Sequence, residues 1–354
     1  MKQVAIVVTN LAGSGAEKIA ISQAKLFYEK GHKVVLFLLE DIKTYDISSF
    51  DFPIISLTNK KNTFKFLGKF GDKIYANILQ KKMKGFGEFA LVLSNLPRAD
   101  RVVKLLNHSN KYFVIHTSYK GELSNFSKLR FQKKQKLYQY IYKDENLITI
   151  TDAMIQDLDD LDIEYKSVQT IYNPFDFEYI RSKAQESVDI DYDYIISASA
   201  FREQKRYDVL LDAFMLVKSD VKLLILAKKD QKLIEMIEQR GLSHRVEILG
   251  FQQNPYKYIK NAKLLVLSSE REGLPTVIIE SLIIGTPVVS TNCPTGPKDI
   301  LKDGLESWLV PINDSNVLAS KINEALECTI SINKSTINKF NKNIIYKKFE
   351  KLLI

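Results

Sequence analysis

The sequence predicts an α/β protein built from two parallel-sheet domains, and three observations carry that expectation. The chain has 354 residues, room for two compact units at roughly 150 residues each. Short buried apolar runs alternate with amphipathic stretches through both halves, which is the rhythm of βαβ units. An acidic stretch broken by Asn173-Pro174 interrupts that rhythm once and puts the boundary near residues 175–190.

In the first half, residues 4–9 (VAIVVT) read as a buried strand, 10–15 as a loop and 16–30 as an amphipathic helix stopped by Gly31-His32. Residues 34–39 form the next strand, and buried runs at 90–94, 112–116 and 147–151 alternate with helical stretches. Together they read as one Rossmann-type domain over 1–180. The second half repeats the pattern with strands at 194–199, 222–227, 246–249, 264–268 and 287–291. Helices at about 206–218, 229–240, 255–260 and 276–284 lie between them, a second Rossmann-like domain over 181–333. The tail, 334–354, reads as a helix with Ile337, Phe340, Ile344 and Phe349 on its apolar side, expected to pack back towards the first domain.

Hydrophobic residues make up 45% and charged residues 26% of the chain, enough apolar surface for two cores and too much for a disordered chain. Cys293 and Cys328 cannot build a disulfide framework, and neither has a CxxC or Cys/His partner, so a reducing cytoplasm is expected. The opening residues carry too short an apolar run for a signal peptide, and no stretch approaches the ~18 apolar residues of a membrane span. The formal net charge of +9 is uneven: residues 51–150 hold 19 Lys/Arg against 7 Asp/Glu, and 188–354 hold 23 against 21. Between Lys60 and Lys143 the lysines interleave with Phe64, Phe66, Phe70, Phe126, Phe131 and Tyr138. No nucleic-acid module accompanies that charge, so nucleic acid is not expected as a partner. An anionic membrane surface is, at about 1 kcal/mol per well-placed basic residue.

The strongest local signal is Ser269-Glu270-Arg271-Glu272-Gly273-Leu274-Pro275-Thr276, where a strand ends, a loop turns and a helix begins. Pro275 suits a first helical position and Gly285 the stop. Backbone N–H groups at a helix start lack intrahelical partners, so a phosphate or a sugar hydroxyl fits over Gly273, Leu274, Pro275 and Thr276. Glu280, four residues beyond Thr276, shares its helix face about 6 Å further along, where a carboxylate can accept both hydroxyls of a ribose. Taken alone, Glu272 and Glu280 read first as ordinary helix-flanking acids.

Together they make the pattern E-x7-E, which in this setting resembles that of the retaining GT-B glycosyltransferases of family 4. The resemblance runs over nearly the whole chain. Residues 11–27 (LAGSGAEKIAISQAKLF) are similar to the family's glycine-rich first loop and helix, 31–34 (GHKV) to the turn into its second strand, and 171–174 (IYNP) to the segment before its interdomain hinge. Residues 201–214 (FREQKRYDVLLDAF), 250–255 and 287–310 resemble successive donor-domain elements. The fold so implied is GT-B, two Rossmann-like domains facing a central cleft that closes for reaction, acceptor on the first and nucleotide sugar on the second.

Residue by residue, the resemblance implies that Glu280 binds the nucleotide ribose and Glu272 contacts the transferred sugar. Backbone around Gly273, Leu274, Pro275 and Thr276 would hold sugar and diphosphate. Lys205 matches the family lysine that neutralises the departing diphosphate. A fixed cation in a dry cleft stabilises that charge most in the transition state, so no metal, and no cofactor beyond the nucleotide-sugar substrate, is expected. Gly15, within Gly13-Ser14-Gly15-Ala16-Glu17, corresponds to the family's Gly-Gly-Ala-Glu loop, where glycine lets the backbone approach diphosphate or acceptor. His116 ends a buried strand and matches a histidine that contacts the donor sugar, as strand C-termini of doubly wound sheets line the ligand crevice. Arg202, Gly250 and Phe251 complete the donor-binding set.

The chain departs from the family where an arginine usually stands five or six positions before the lysine. Ala200 and Ser199 occupy those places, leaving Arg202 or Arg206 as substitutes. Ala227-Lys228-Lys229-Asp230 stands where many relatives carry a glycine-rich turn. Glu40, ending the second strand, raises an NAD site, but Lys18 occupies the third glycine position of G-x-G-x-x-G. The DxD within Asp189-Ile190-Asp191-Tyr192-Asp193 reads as solvated linker acids.

The resemblance thus implies a retaining, metal-independent transferase of hexose or N-acetylhexosamine. Its donor would be a UDP-sugar and its acceptor a glycan or lipid-linked glycan in bacterial lipopolysaccharide or capsule biosynthesis, at the inner face of the plasma membrane. Cys293-Pro294-Thr295-Gly296-Pro297-Lys298 is similar to a loop of bacterial hexosyl and N-acetylhexosaminyl transferases. Alternatives on the same fold are a nucleotide-sugar epimerase, a phosphorylase, and a non-catalytic membrane- or glycan-binding protein.

Overall fold

The computed structural model describes residues 1–13, 15–44, 50–59, 64, 67–124 and 126–353. Ser14, Lys60 and Phe66, named above, lie outside the described residues. The chain divides into two compact units, Met1–Phe175 with Lys342–Ile354, and Asp176–Asn341. Among the described residues no helix is long and apolar enough to cross a membrane.

The first unit holds β1 (Gln3–Val8), β2 (Lys33–Glu40), β3 (Ile54–Thr58), β4 (Leu91–Asn95), β5 (Lys111–Ile115), β6 (Asn146–Thr149) and β7 (Ser167–Thr170). They form one parallel sheet in the order β3-β2-β1-β4-β5-β6-β7. Residues Val4, Ala5, Ile6, Val7 and Val8 are wholly buried, because a central parallel strand is covered by helices on both faces. The second unit holds β8 (Tyr194–Ser197), β9 (Lys222–Ile225), β10 (Val246–Ile248), β11 (Leu264–Leu267), β12 (Val288–Thr291) and β13 (Leu309–Val310). Its parallel order is β10-β9-β8-β11-β12-β13. In each sheet the order in which the chain lays down its parallel strands reverses once, between β1 and β4 and between β8 and β11. Ligand crevices of open α/β sheets form outside the carboxyl ends of strands at such points.

β3, β7 and β13 were not marked by the apolar runs, and all three are edge strands. β3 and β7 are mostly half-buried, so their sequences, IISLT and SVQT, lack the continuous apolar character of a doubly covered strand.

Residues 176–180, read above with the first domain, open the second unit. Asp176 caps helix Phe177–Ala184 by accepting from the Tyr179 amide at 3.0 Å, and that helix packs on helices Tyr256–Asn261 and Thr276–Ile284. The tail forms two helices rather than one. Lys334–Asn338 stays with the second unit, and Lys342–Glu350 belongs to the first. The break resets the helical phase, so Ile345 is buried and Ile344 is exposed, the reverse of the continuous-helix expectation. Helix Lys342–Glu350 lies on helix Gly15–Glu29 through Phe349 edge-on to Phe27 and Lys342 paired with Glu29 at 2.7 Å. His32 Nε2 lies 2.7 Å from the Tyr346 hydroxyl beside them.

Candidate active site

In the second unit the two strands at the reversal supply the chemistry. β8 leads to a single 3₁₀ turn, Glu203–Lys205, and β11 leads to the loop before helix Thr276–Ile284. Two hydrogen bonds stitch the loops together: Ser268 Oγ donates to the Lys205 carbonyl at 2.8 Å, and the Glu270 amide to the Gln204 carbonyl at 2.9 Å. That brings Lys205 Nζ to 2.5 Å from Glu272 Oε1, and Ser269 Oγ donates to the same oxygen at 2.6 Å. Both charged side chains are largely buried.

The loop is also held by its neighbour after β12. Thr291 Oγ1 donates to the Ser269 carbonyl at 2.5 Å, and Thr295 Oγ1 donates to the Glu272 carbonyl. Gly296, at φ 95°, lies so close that a Cβ would stand 2.4 Å from Pro275 Cδ and 2.5 Å from the Gly273 carbonyl oxygen. Only glycine permits that approach. Cys293 lies beneath, its thiol pushed up to about 12 by burial and then by the Glu272 charge, with Lys205 opposing. Pro275, at φ −69° and ψ 94°, immediately precedes the helix instead of starting it, since its extended ψ is what turns the chain from the loop. Gly285 ends the helix in the left-handed region, as expected. Glu280 is buried and hydrogen-bonded with the Tyr256 hydroxyl, whose proton affinity rises through burial and the Glu280 charge.

The remaining donor-side candidates stand differently. Arg206 adopts φ 48° and chelates Asp208, with Nε to Oδ1 at 2.9 Å and Nη2 to Oδ2 at 2.7 Å. Its Nη1 also meets Asn313 and lies 3.7 Å from Glu270, so this guanidinium is committed to its neighbours. Arg202 heads the 3₁₀ turn and is exposed. Gly250, at φ 82°, and the exposed Phe251 follow β10, separated from β11 in the sheet by β9 and β8. Asp193 of the DxD pairs with Lys263 at 3.2 Å.

In the first unit, the loop after β1 turns at Gly13, φ 110°, whose amide donates to Glu17 Oε2 at 2.7 Å. Gly15 starts helix Gly15–Glu29, and a Cβ there would meet nothing within 4 Å. Glu40, buried at the end of β2, is ion-paired with Arg98 and accepts from Asn10 Nδ2 at 3.2 Å. Its carboxylate serves the fold there. His116 follows β5, with Nε2 2.7 Å from Asn95 Oδ1 at the end of β4. Burial lowers its pKa to about 4, so the ring is neutral at pH 7.

The structure thus joins Lys205, Glu272, Gly273, Leu274, Pro275, Thr276 and Glu280 in one site and sets His116 and Gly15 in the other unit. Sequence reasoning missed Asn95 and Tyr256, and it named Ser269, Thr295 and Gly296 only within longer motifs, without their roles in holding the loop. For Gly296 a signal existed, a glycine between Thr295 and Pro297; for Tyr256 and Asn95 none did.

Residues 180–345 match the family described as glycosyl transferases group 1. That match falls almost wholly within the second unit. The chain is similar to the N-acetylgalactosamine-N,N'-diacetylbacillosaminyl-diphospho-undecaprenol 4-alpha-N-acetylgalactosaminyltransferase of Campylobacter jejuni, 32% identical over 47% of this chain and 46% of that protein. It is similar to the lipopolysaccharide 1,6-galactosyltransferase of Escherichia coli, 24% identical over 61% of this chain and 63% of that protein. The matched stretches therefore span less than two thirds of the length of these curated relatives, 46% of the first and 63% of the second. Among solved structures it resembles Anabaena HepE in complex with UDP and glucose, with TM-score 0.79 and 19% identity over 100% of this chain and 99% of that one. At that identity the likeness shows the fold, which is GT-B.

Proposed function

We propose that this protein is a retaining glycosyltransferase that moves a hexose or N-acetylhexosamine from a UDP-sugar to a glycan or lipid-linked glycan in surface polysaccharide biosynthesis. The observation that carries this is the joining of Lys205 and Glu272 at two neighbouring strand ends, ahead of a helix whose second turn holds Glu280. The donor's diphosphate lies against Lys205 and the backbone of Gly273, Leu274 and Thr276, Glu280 takes the ribose hydroxyls, and Glu272 meets the transferred sugar. Gly250, Phe251 and Arg202 face the nucleotide. Gly15 gives the diphosphate or acceptor room, and His116 contacts the sugar.

An ammonium has three N–H donors. One on Lys205 holds Glu272, and the others meet the diphosphate as the glycosidic bond breaks, when its charge is greatest. The acceptor hydroxyl attacks on the face the diphosphate leaves and gives its proton to the donor phosphate, so the anomeric configuration is kept. Lys205 and the helix amides supply the positive potential that a divalent metal would otherwise bring. The relatives named above support the sugar classes and the lipid-linked acceptor.

The second part of the proposal is docking on the anionic inner face of the plasma membrane. Helix Lys128–Tyr142 exposes Leu129, Lys133, Lys136 and Tyr140 on one face, and helix Gly68–Lys84 exposes Phe70, Lys73 and Lys81. Between them a hollow of about 300 Å³ is lined by Lys69, Phe70, Asp72, Lys73, Leu105 and Tyr140. Basic residues around exposed apolar side chains suit an anionic headgroup layer. Cosedimentation with anionic liposomes at low and high salt tests it: binding lost in high salt is expected, and absence of binding at both ends the idea.

For the reaction itself, purified protein is incubated with UDP-, GDP- and ADP-sugars in EDTA, with and without membrane lipid extract, and turnover is read by mass spectrometry. Release of UDP despite chelation, increased by lipid, is the expected result. Turnover without acceptor, or only with phosphate, would select the epimerase or the phosphorylase. No turnover and no nucleotide binding would select a non-catalytic protein.

A further inference from the structure

In the second unit the Glu272 carboxylate receives two donors, and both fall on the same oxygen. Lys205 Nζ lies 2.5 Å from Oε1, and Ser269 Oγ donates to Oε1 at 2.6 Å. Among the described residues no other hydrogen bond reaches this carboxylate. An ionised carboxylate offers about four lone-pair sites over its two oxygens. The arrangement therefore fixes one oxygen and leaves the acceptor capacity of the other, Oε2, to a ligand.

The two donors differ in what holds them. A lysine ammonium is a point charge on a flexible stem, so a diphosphate beside Lys205 competes with Glu272 for it. A largely buried carboxylate then loses part of its compensation, which is costly in a site poor in water. Ser269 cannot follow the phosphate. It is wholly buried just beyond β11, and its carbonyl accepts from Thr291 Oγ1 at 2.5 Å. The residues on either side are tied to the 3₁₀ turn, Ser268 Oγ to the Lys205 carbonyl at 2.8 Å and the Glu270 amide to the Gln204 carbonyl at 2.9 Å. The Ser269 hydroxyl thus meets Oε1 from a fixed point. It is also neutral, so an arriving anion does not draw it away, and its bond to a charged acceptor is about twice as strong as one between neutral groups.

We infer that Ser269 is a positioning residue whose hydroxyl holds the Glu272 carboxylate for the transferred sugar while Lys205 is engaged by the departing diphosphate. This role rests on the reading of Glu272 as the group that meets the sugar, and it supplies the group through which that carboxylate is aimed. Loss of the hydroxyl then harms the handling of the sugar and spares the nucleotide. A general loosening of the loop would harm both, because the same loop leads into the helix that carries Glu280.

Ser269→Ala removes the donor, and Ser269→Cys keeps a side chain of similar shape with only a weak donor, so that one serves if the other fails to fold. Each is combined with Glu272→Ala to complete a double-mutant cycle. UDP release from UDP-glucose, UDP-galactose, UDP-N-acetylglucosamine and UDP-N-acetylgalactosamine is followed by mass spectrometry with membrane lipid extract present, and UDP affinity is measured by calorimetry. We expect kcat for the accepted sugar to fall about tenfold or more in both Ser269 variants, with UDP affinity within about twofold of wild type. With Glu272 already alanine, the same substitutions should cause no further fall. Full turnover by the Ser269 variants overturns the role. So does an equal fall in the Glu272→Ala background, or a UDP affinity that falls together with kcat, which would make Ser269 a support of the loop alone. Each of those outcomes leaves the transferase reading standing, whereas a wild-type protein that releases UDP from none of the four donors overturns that reading and this role with it.

Discussion

The two sheet edges of this molecule handle polarity in opposite ways. In the second unit the polar groups are charged and mutually partnered: Lys205 with Glu272, Ser269 on the same carboxylate oxygen, and Tyr256 with Glu280. In the first unit a charged pair, Glu40 with Arg98, stands at the end of β2, but the groups that follow β4 to β7 are neutral, and four of their atoms have no partner among the described residues. A charge in a low-dielectric site cannot be left alone, because its desolvation exceeds that of a neutral group several-fold. A neutral amide or imidazole can wait for its partner at a cost the fold can absorb. The charged edge is therefore held together by its own pairs, and the neutral edge keeps polar atoms that its own side chains do not satisfy.

Breaking the charged edge has the largest expected effect. Lys205→Ala should lower kcat about 10²–10³-fold, as loss of a group stabilising developing anionic charge does, with a smaller change in donor affinity. An unchanged kcat in steady-state assays would remove Lys205 from the reaction. Gly296→Ala drives a Cβ into Pro275 and the Gly273 carbonyl from a positive-φ position, and about 2–4 kcal/mol of stability should be lost. Denaturant unfolding checks it, and no loss would mean that the loop yields easily. Glu280→Ala should cost about 1.5–3 kcal/mol of donor binding through lost charged hydrogen bonds. Calorimetry showing unchanged UDP affinity would take the ribose away from Glu280.

The comparison sharpens on a buried acid next to the neutral edge. Asp100 is wholly buried on helix Pro97–Lys104, accepting from Ser94 Oγ at 2.6 Å and the Tyr142 hydroxyl at 2.7 Å. Burial raises its pKa to about 7, against those two hydrogen bonds. With the folded pKa above the unfolded one, the folded state keeps a proton the unfolded state has released. Stability from this group is present below about pH 4, is lost as pH rises towards about 7, and is flat beyond. Asp100→Asn should remove that slope and stabilise the protein at pH 8 by about 1–2 kcal/mol. His116 acts with the opposite sign. Its pKa, lowered to about 4, leaves stability complete above pH 6.5 and lost as pH falls towards 4. Thermal unfolding of wild type, Asp100→Asn and His116→Gln across pH 4–8 separates the two contributions.

Much of the second unit was legible from residues close in sequence. Helix Thr276–Ile284 appears within its expected bounds, because the spacing of Thr276, Glu280 and Gly285 is a property of a single helix. The contact between Lys205 and Glu272 was not legible, since 67 residues separate them and only the pairing of β8 with β11 brings them together. Arg206, a candidate cation in the sequence, is drawn away by Asp208 two residues on and Asn313 far along the chain. Ile344 was misjudged because the helix breaks near Asn341, and a shifted phase exchanges it with Ile345.

The sequence by itself determined the α/β class, the central strands and the E-x7-E helix with its glycine stop, all set by local periodicity and backbone preference. Tertiary structure decided which strands stand beside one another at each reversal, and hence that Lys205 meets Glu272 and that His116 meets Asn95. It also decided which polar atoms find partners and which do not. Burial and long-range pairing are properties of the assembled sheet, and no window of the chain contains them.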